Sequence, residues 1–350
     1  MAFSTLHNIA IKGISASVPR YREDNHLSEL IPERQRDTFI DTTGVRYRHI
    51  APAGVTAADL CYAAATALMA EMSWQPADID ILILVTQTPD HIIPNSASIL
   101  QHRLHLSKKC IAFDINLGCS GYVYGLSVIG SLLQNIPQGR ALLLVGDCSS
   151  SVVSKKDKST YPLFSDAGSA TALEHSPNAA WYFHLQTDGA GYQDIMVRDG
   201  GMRHPFAEES LIEREYSTGE IRSHLQMKLD GVGIFNFALR EVAPNIASLL
   251  TRFNIARDSI DYYVLHQANK LILECIRKKL KEVPEKFPCS LYQYGNTSSA
   301  SIPITIISAL REKIADKAVN LLLSGFGVGL SWGSVYLPLE GVIIPALVEI

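Results

Sequence analysis

The sequence predicts an α/β fold assembled from two related halves, and two observations carry that expectation. Short apolar runs that read as buried strands alternate with segments of helical periodicity, which is the pattern of an α/β protein. Several landmarks then return in the same order after roughly 180 residues. Ile79-Asp80-Ile-Leu-Ile-Leu-Val reappears as Ile260-Asp261-Tyr-Tyr-Val-Leu-His, an offset of 181 residues. Ala141-Leu-Leu-Leu-Val-Gly146 reappears as Asn320-Leu-Leu-Leu-Ser-Gly325, an offset of 179. Cys119 and Asn296, each followed by small residues and a helical run, stand 177 apart. Chance similarity between short apolar strands explains any single match, but the shared order favours duplication. Repeat units this long are fused domains, not solenoid turns, so one half is expected over residues 1–180 and the other over 181–350.

In chain order, Ala57–Glu71 reads as a helix with a nearly continuous apolar face. Ile81–Thr86, Lys109–Asp114 and Ala141–Gly146 are runs of strand length and buried composition. Ser120–Leu133 is a second helix, Tyr262–Leu265 a further strand, and Gln267–Leu280 a helix after it. No low-complexity segment or linker interrupts the chain.

Composition narrows the function. With 350 residues, 47% apolar and 19% charged, the chain carries a sizeable core and lacks the signature of disorder. A net charge of −4 and a pI near 6.3 argue against nucleic acid as a general partner. No apolar run approaches the length of about 20 residues that crosses a bilayer. Met1-Ala-Phe-Ser-Thr-Leu-His lacks the basic-then-apolar order of a signal peptide, so a cytoplasmic location is expected. Six cysteines (Cys61, Cys110, Cys119, Cys148, Cys275 and Cys289) without C-x-x-C spacing fit reduced thiols, neither a disulfide framework nor a metal site.

Three motifs carry the chemistry: Asp114-Ile-Asn-Leu-Gly-Cys119-Ser-Gly-Tyr-Val-Tyr-Gly125, Val264-Leu-His266-Gln-Ala-Asn269, and Tyr294-Gly-Asn296-Thr-Ser-Ser-Ala-Ser-Ile-Pro303. Cys119 follows a strand, Cys110–Asn116, and opens a helix, so the helix dipole and free N–H groups are expected to draw its pKa toward neutrality. Gly118 and Gly121 leave room for a carbonyl beside the sulfur. The other five cysteines lack such a turn and read as buried apolar residues. His266 ends an apolar strand, where it is either a satisfied core residue or a hydrogen-bond donor to a thioester oxygen. The other histidines, including His91, His102, His105 and His204, read as polar or loop residues. Asn296 alone would be a turn or cap, and its pairing with the other motifs raises it. Asn269 reads equally as a first-turn helix residue or as a support for His266 or a bound water. Gly325-Phe-Gly-Val-Gly-Leu-Ser-Trp-Gly333 lacks dinucleotide spacing. Its glycines instead allow close approach to the sulfur, with an N–H near Val328 completing an oxyanion hole. The run Arg277-Lys-Lys-Leu-Lys281 is a solvated helix face or a receptor for an acidic partner. A thiol with two neutral donors suits thioester chemistry in which charge develops on oxygen, on the acyl group and on an enolate.

From about Ile11 to Leu339 the chain resembles the ketoacyl-acyl-carrier-protein synthases III, condensing enzymes of the thiolase fold; Thr43-Gly-Val-Arg-Tyr-Arg-His49 and Phe164-Ser-Asp-Ala-Gly168 add to the three motifs. The resemblance implies a duplicated five-layered α-β-α-β-α core, a homodimer, an acyl carrier protein as partner and no cofactor beyond substrates held as thioesters of phosphopantetheine or coenzyme A. It implies that Cys119 takes the primer acyl group, with its own N–H and that of Val328 as oxyanion hole. His266 and Asn296 would hold the malonyl thioester carbonyl as carbon dioxide leaves, and Phe326 would lie beside the sulfur. Ile93, before Pro94, matches a position that reaches the neighbouring subunit's acyl pocket. The family's adenine-gripping tryptophan and arginine fall on Thr38 and Thr42, and its carrier-docking arginine on Leu271. Arg277, Lys278, Lys279, Lys281 and Lys158 remain as cations for a carrier. Arg198–Ser223 reads as an insertion and Gly341–Ile350 as an extension. Three rivals are an acyltransferase of the same fold acting on a hydroxyl or amine, a papain-like thiol hydrolase and a silent partner subunit. The retained asparagine, the 118 residues before the cysteine, and the cysteine itself count against them in turn.

Overall fold

The structure, a computed structural model, describes residues 2–216, 219–315 and 317–350. Two long strands organise it: β1, Ala2–Val18, runs antiparallel to β5, Ala167–Thr187, along nearly its whole length. Along its first part, β5 pairs on its other edge with β4, Arg140–Asp147; its last part, from Tyr182, pairs with β10, Ser331–Leu339. Each of those neighbours opens a similar series. On one side β4 lies parallel to β2, Ile81–Val85, which lies parallel to the edge strand β3, Ile111–Ile115. On the other, β10 is antiparallel to β9, Val319–Gly327, which is parallel to β8, Tyr262–Leu265. The parallel pair Ile81–Ala141 thus has its counterpart in Tyr262–Leu321. Residue 180 falls inside β5, so the chain crosses from one series to the other within a strand and not through a linker.

Side-chain alternation sorts these strands into layers. Ile81, Ile83, Val85, Leu143 and Val145 face one way, onto α3, Gly121–Leu133, which also meets Val264, Leu321, Leu323, Val335 and Leu337 of the second series. The run from α6, Ser301–Thr305, through Ile306–Leu310 fills the same middle layer. Leu82, Leu84, Leu142 and Leu144 face outward onto α1, Ala57–Glu71, and α2, Ser96–Arg103. Tyr263, Leu265 and Leu322 face α4, Gly231–Arg252, and α5, Lys270–Leu280. The result is helix, sheet, helix, sheet, helix. Each leucine sealed in these layers contributes about 1.5–3 kcal/mol of burial. Helix α1 starts where Thr56 accepts the Asp59 N–H and the Asp59 carboxylate accepts the Thr56 N–H, a reciprocal cap.

Two element boundaries and the setting of one histidine differ from the sequence expectation. The strand expected at Lys109–Asp114 begins at Ile111, because Ser107 turns the chain by accepting the Cys110 N–H on its carbonyl and the Lys109 N–H on its hydroxyl. The helix expected from Gln267 begins at Lys270, because Gln267 is buried and spends its amide on the Leu265 carbonyl and the Ser290 N–H. His184 lies in β5 and is buried, not in a loop; its Nδ1 faces the Asn245 carbonyl. The 341–350 segment ends in β11, Val348–Glu349, parallel to Ser17 and Val18 on the edge of β1. In the 198–223 segment, Arg214–Glu215 pairs with Ile221–Arg222. It lies beside a ribbon formed by β6, Ile195–Met196, and β7, Lys228–Leu229.

Candidate active site

Cys119 sits two residues before α3, at the end of the loop that leaves β3, and is 8% exposed. It lines a cavity of about 360 Å³ together with Gln87, Asn116, Phe164, Met196, Met227 and Val328. The glycine-rich turn after β9 closes on the sulfur. A Cβ at Gly327 would stand 2.7 Å from the Cys119 Sγ and 2.6 Å from its Cβ, so only glycine permits this approach. The backbone N–H groups of Val328 and of Cys119 itself point to the sulfur, the pair that an acyl oxyanion on Cys119 needs.

Ser298 connects the three motifs. Its hydroxyl reaches both the Cys119 thiol and the buried Asp147 carboxylate. Its N–H donates to Asn296 Oδ1 at 2.9 Å, and its carbonyl faces the His266 ring. It holds a left-handed backbone, φ +50°, which a non-glycine residue adopts rarely and mostly where surroundings enforce it. With Oδ1 occupied, Asn296 presents its amide N–H₂, one hydrogen of which is directed at the Ala268 carbonyl at 3.4 Å. His266 is held through Nδ1 by the Ser301 hydroxyl at 2.7 Å. That hydroxyl accepts the Gln267 N–H at 3.3 Å, so its own proton is free for Nδ1. With that proton directed at Nδ1, His266 carries its own proton on Nε2 as a donor. Phe326, 1% exposed, stands edge-on to His266 with ring centroids 5.5 Å apart.

Electrostatics correct one expectation. Burial pushes the Cys119 thiol up to about 11, and nearby Asp147 adds to this; the Val328 and Cys119 N–H groups and Ser298 oppose it without reversing it. The sequence shows a helix end near the sulfur but not the walls around it. At pH 8 a thiol of this kind is ionised only to the order of 10⁻³. Alkylation of Cys119 by iodoacetamide, followed by peptide mass mapping, is therefore expected to rise about tenfold per pH unit from about pH 7 to 10. A plateau already reached at pH 8 would place the thiol near neutrality instead. Burial also pushes His266 down to about 3, so its ring is neutral through the physiological range and donates without carrying charge.

The remaining candidates separate. Asn269 lies outside the helix as its cap: its Oδ1 accepts the Ile272 N–H at 2.8 Å and it makes no bond to His266, which Ser301 supports instead. Ile93 is 86% exposed and lies outside the Cys119 cavity. Thr38 and Thr42 sit one turn apart on the exposed face of the helix Arg36–Thr43. Arg277 is turned onto Glu274 and the Glu282 carbonyl, and Lys279 donates to the Leu239 carbonyl. Lys278, Lys281, Lys158 and Leu271 are exposed. Sequence reasoning missed Ser298, Ser301 and Asp147; the polar run Thr297-Ser-Ser-Ala-Ser301 entering an apolar helix was the available signal.

A cysteine beneath paired N–H groups, joined through one serine to two neutral donors on a doubled α/β scaffold, is the architecture of a thiolase-fold enzyme. Comparison with known proteins supplies the family. Residues 113–189 match the model described as 3-oxoacyl-[acyl-carrier-protein (ACP)] synthase III, and residues 250–339 match its C-terminal model. A beta-ketoacyl-[acyl-carrier-protein] synthase III of Streptococcus equi subsp. zooepidemicus is 32% identical over 96% of this chain and 99% of its own. The crystal structure of a 3-oxoacyl-(acyl-carrier protein) synthase from Burkholderia xenovorans superposes with a TM-score of 0.92 at 36% identity, covering 100% of this chain and 99% of that one. A 3-oxoacyl-(acyl carrier protein) synthase III from Pseudomonas aeruginosa gives 0.81 at 28% identity, over 96% and 99%. The chain belongs to the 3-oxoacyl-acyl-carrier-protein synthase III family.

Proposed function

We propose that the protein catalyses a decarboxylative condensation of an acyl thioester primer with a malonyl thioester, by way of an acyl group on Cys119. The observation that carries this is Ser298, whose hydroxyl, N–H and carbonyl reach Cys119, Asn296 and His266. The Cys119 sulfur adds to the primer carbonyl, the N–H groups of Cys119 and Val328 hold the oxyanion, and the C–S bond to the carrier then breaks as the proton lost by Cys119 passes to the departing carrier sulfur. The malonyl thioester oxygen then takes hydrogen bonds from His266 Nε2–H and Asn296 Nδ2–H. The C–C bond to the malonyl carboxylate breaks, carbon dioxide leaves and the electron pair moves into the enolate. The apolar edge of Phe326 disfavours the carboxylate and tolerates neutral carbon dioxide. The carbanion attacks acyl-Cys119, expelling the thiolate and giving a 3-oxoacyl thioester. In this reading the enzyme is an acyltransferase of two fused halves, 1–180 and 181–350, acting as a cytoplasmic homodimer with an acyl carrier protein and without a cofactor. Ile93, exposed on its own subunit, would enter the partner's acyl cavity.

The primer is expected to arrive on the carrier protein. Thr38 and Thr42 offer neither the aromatic face nor the cation that grips adenine, contacts worth roughly 0.5–2 kcal/mol each. Their absence would weaken coenzyme A thioesters by about tenfold to a hundredfold. Lys158, Lys278 and Lys281 are exposed to meet an acidic carrier. With malonyl carrier protein as second substrate and mass detection of the 3-oxoacyl product, kcat/KM for one acyl chain should be higher on carrier protein. Equal or better use of the coenzyme A form would overturn the carrier assignment, while absence of a 3-oxoacyl product would overturn the reaction.

A further inference from the structure

The ribbon of β6 and β7 has two unlike faces. Ile195, Val197 and Met227 line the Cys119 cavity, whereas Gln226 and Lys228 line a second cavity of about 670 Å³ behind it; Met196 touches both. The alternation of strand residues produces this division. The second cavity is walled by the 198–223 segment and brings together Arg198, Arg203, Arg222 and Lys228 with His204 and His224, and its lining contains no carboxylate. Some of this charge is balanced from just outside. Arg222 reaches the buried Asp157 at 3.4 Å and stacks on Tyr216 at 3.9 Å. Asp199, which accepts the Ser210 hydroxyl, lies 3.8 Å from Arg198 and 3.5 Å from His224. Arg203 and Lys228 are exposed and form no ion pair among the described residues. Burial first, then Arg214 and Arg198, lower the His224 pKa against the opposing pull of Asp199.

We propose that this cavity is a binding site for a phosphate-bearing small molecule, held between Arg203 and Lys228 with Arg198 and Arg222 behind. A concave site with Arg203 and Lys228 outside any ion pair among the described residues, beside two arginines that Asp199 and Asp157 partly balance, suits a compact polyanion, which accepts charge-assisted hydrogen bonds from the two unpaired cations first. An occupant would fix the ribbon from behind, and with it Ile195, Met196 and Met227 of the acyl cavity. The phosphate has two possible sources, the thioester carrier of the substrate or a free phosphorylated metabolite. The site rests on the cation cluster and not on the condensation reading, and its test needs no turnover.

Calorimetric titration of the full-length protein with inorganic pyrophosphate is expected to show saturable binding. The double variant Arg203→Ala/Lys228→Ala should weaken it by about tenfold or more, because each removed cation loses a charge-assisted contact. Lys228→Arg should retain it, and unchanged circular dichroism of each variant shows that the fold is intact. Displacement of pyrophosphate by coenzyme A would assign the phosphate to the carrier, and failure to displace would assign it to a free metabolite; both support the site. No saturable binding, or binding that the double variant leaves unchanged, overturns it.

Discussion

Replacing Cys119 with alanine is expected to abolish acyl loading and condensation while leaving the fold intact. The sulfur is the atom toward which the Val328 and Cys119 N–H groups converge, and it is the thiol on the wall of the Cys119 cavity. Cys61 and Cys148 are buried elsewhere in the core, and burial pushes the Cys61 thiol up to about 12. The substitution removes one sulfur atom from a site whose neighbours, Gly327 and Val328, belong to the paired strand and turn around β9 and remain supported. Intact-mass analysis after incubation with an acyl thioester should show an added acyl group on the wild type and none on the variant. An acyl adduct of full stoichiometry on Cys119→Ala would place the nucleophile elsewhere.

His266→Ala and Asn296→Ala should separate the two half-reactions. Each removes one neutral N–H donor proposed for the enolate oxygen, and loss of such a donor typically raises a barrier by about 3–4 kcal/mol, or 10²–10³ in rate. Carbon dioxide release from the malonyl thioester is therefore expected to fall by about that factor in either variant. Loading of Cys119 should survive, because the oxyanion hole proposed for that step consists of backbone N–H groups that neither substitution touches. Since His266 is neutral far below its ordinary range, decarboxylation should show no inflection as pH falls through about 6.5. Loss of loading in His266→Ala, or an inflection near that pH, would make the imidazole the base for the thiol.

Features set by neighbouring residues are legible in the sequence, and features set by distant contacts are not. Cys119, His266 and Asn296 stand in short motifs whose neighbours, glycine before the thiol and an apolar strand before the imidazole, reveal their setting. The α/β class and its duplication were legible because Ile81–Val85 and Tyr262–Leu265 are apolar runs recurring at a common offset, while the five layers came with the family resemblance. The long strands β1 and β5 were not, since their polar interruptions hide a pairing visible only across some 170 residues. Ser301 and Asp147 act through contacts 35 and 152 residues away in sequence, with His266 and Ser299, which no local pattern records. The ionisation of Cys119 was misjudged for a related reason. A helix end is written in consecutive residues, whereas the walls of the Cys119 cavity, Phe164, Met196 and Val328 among them, come from three distant segments. Asn269 followed the opposite course, because capping is the local use of an asparagine and the structure puts it to that use.

In the reaction proposed above, one site first loads an acyl group and then decarboxylates a malonyl group onto it. A single-turnover reaction of the preformed acyl-Cys119 enzyme with malonyl thioester labelled in its free carboxylate tests this directly. One labelled carbon dioxide is expected for each 3-oxoacyl product, with concurrent loss of the acyl adduct from Cys119. Consumption of the acyl adduct without labelled carbon dioxide, yielding an ester, an amide or a free acid, would contradict it.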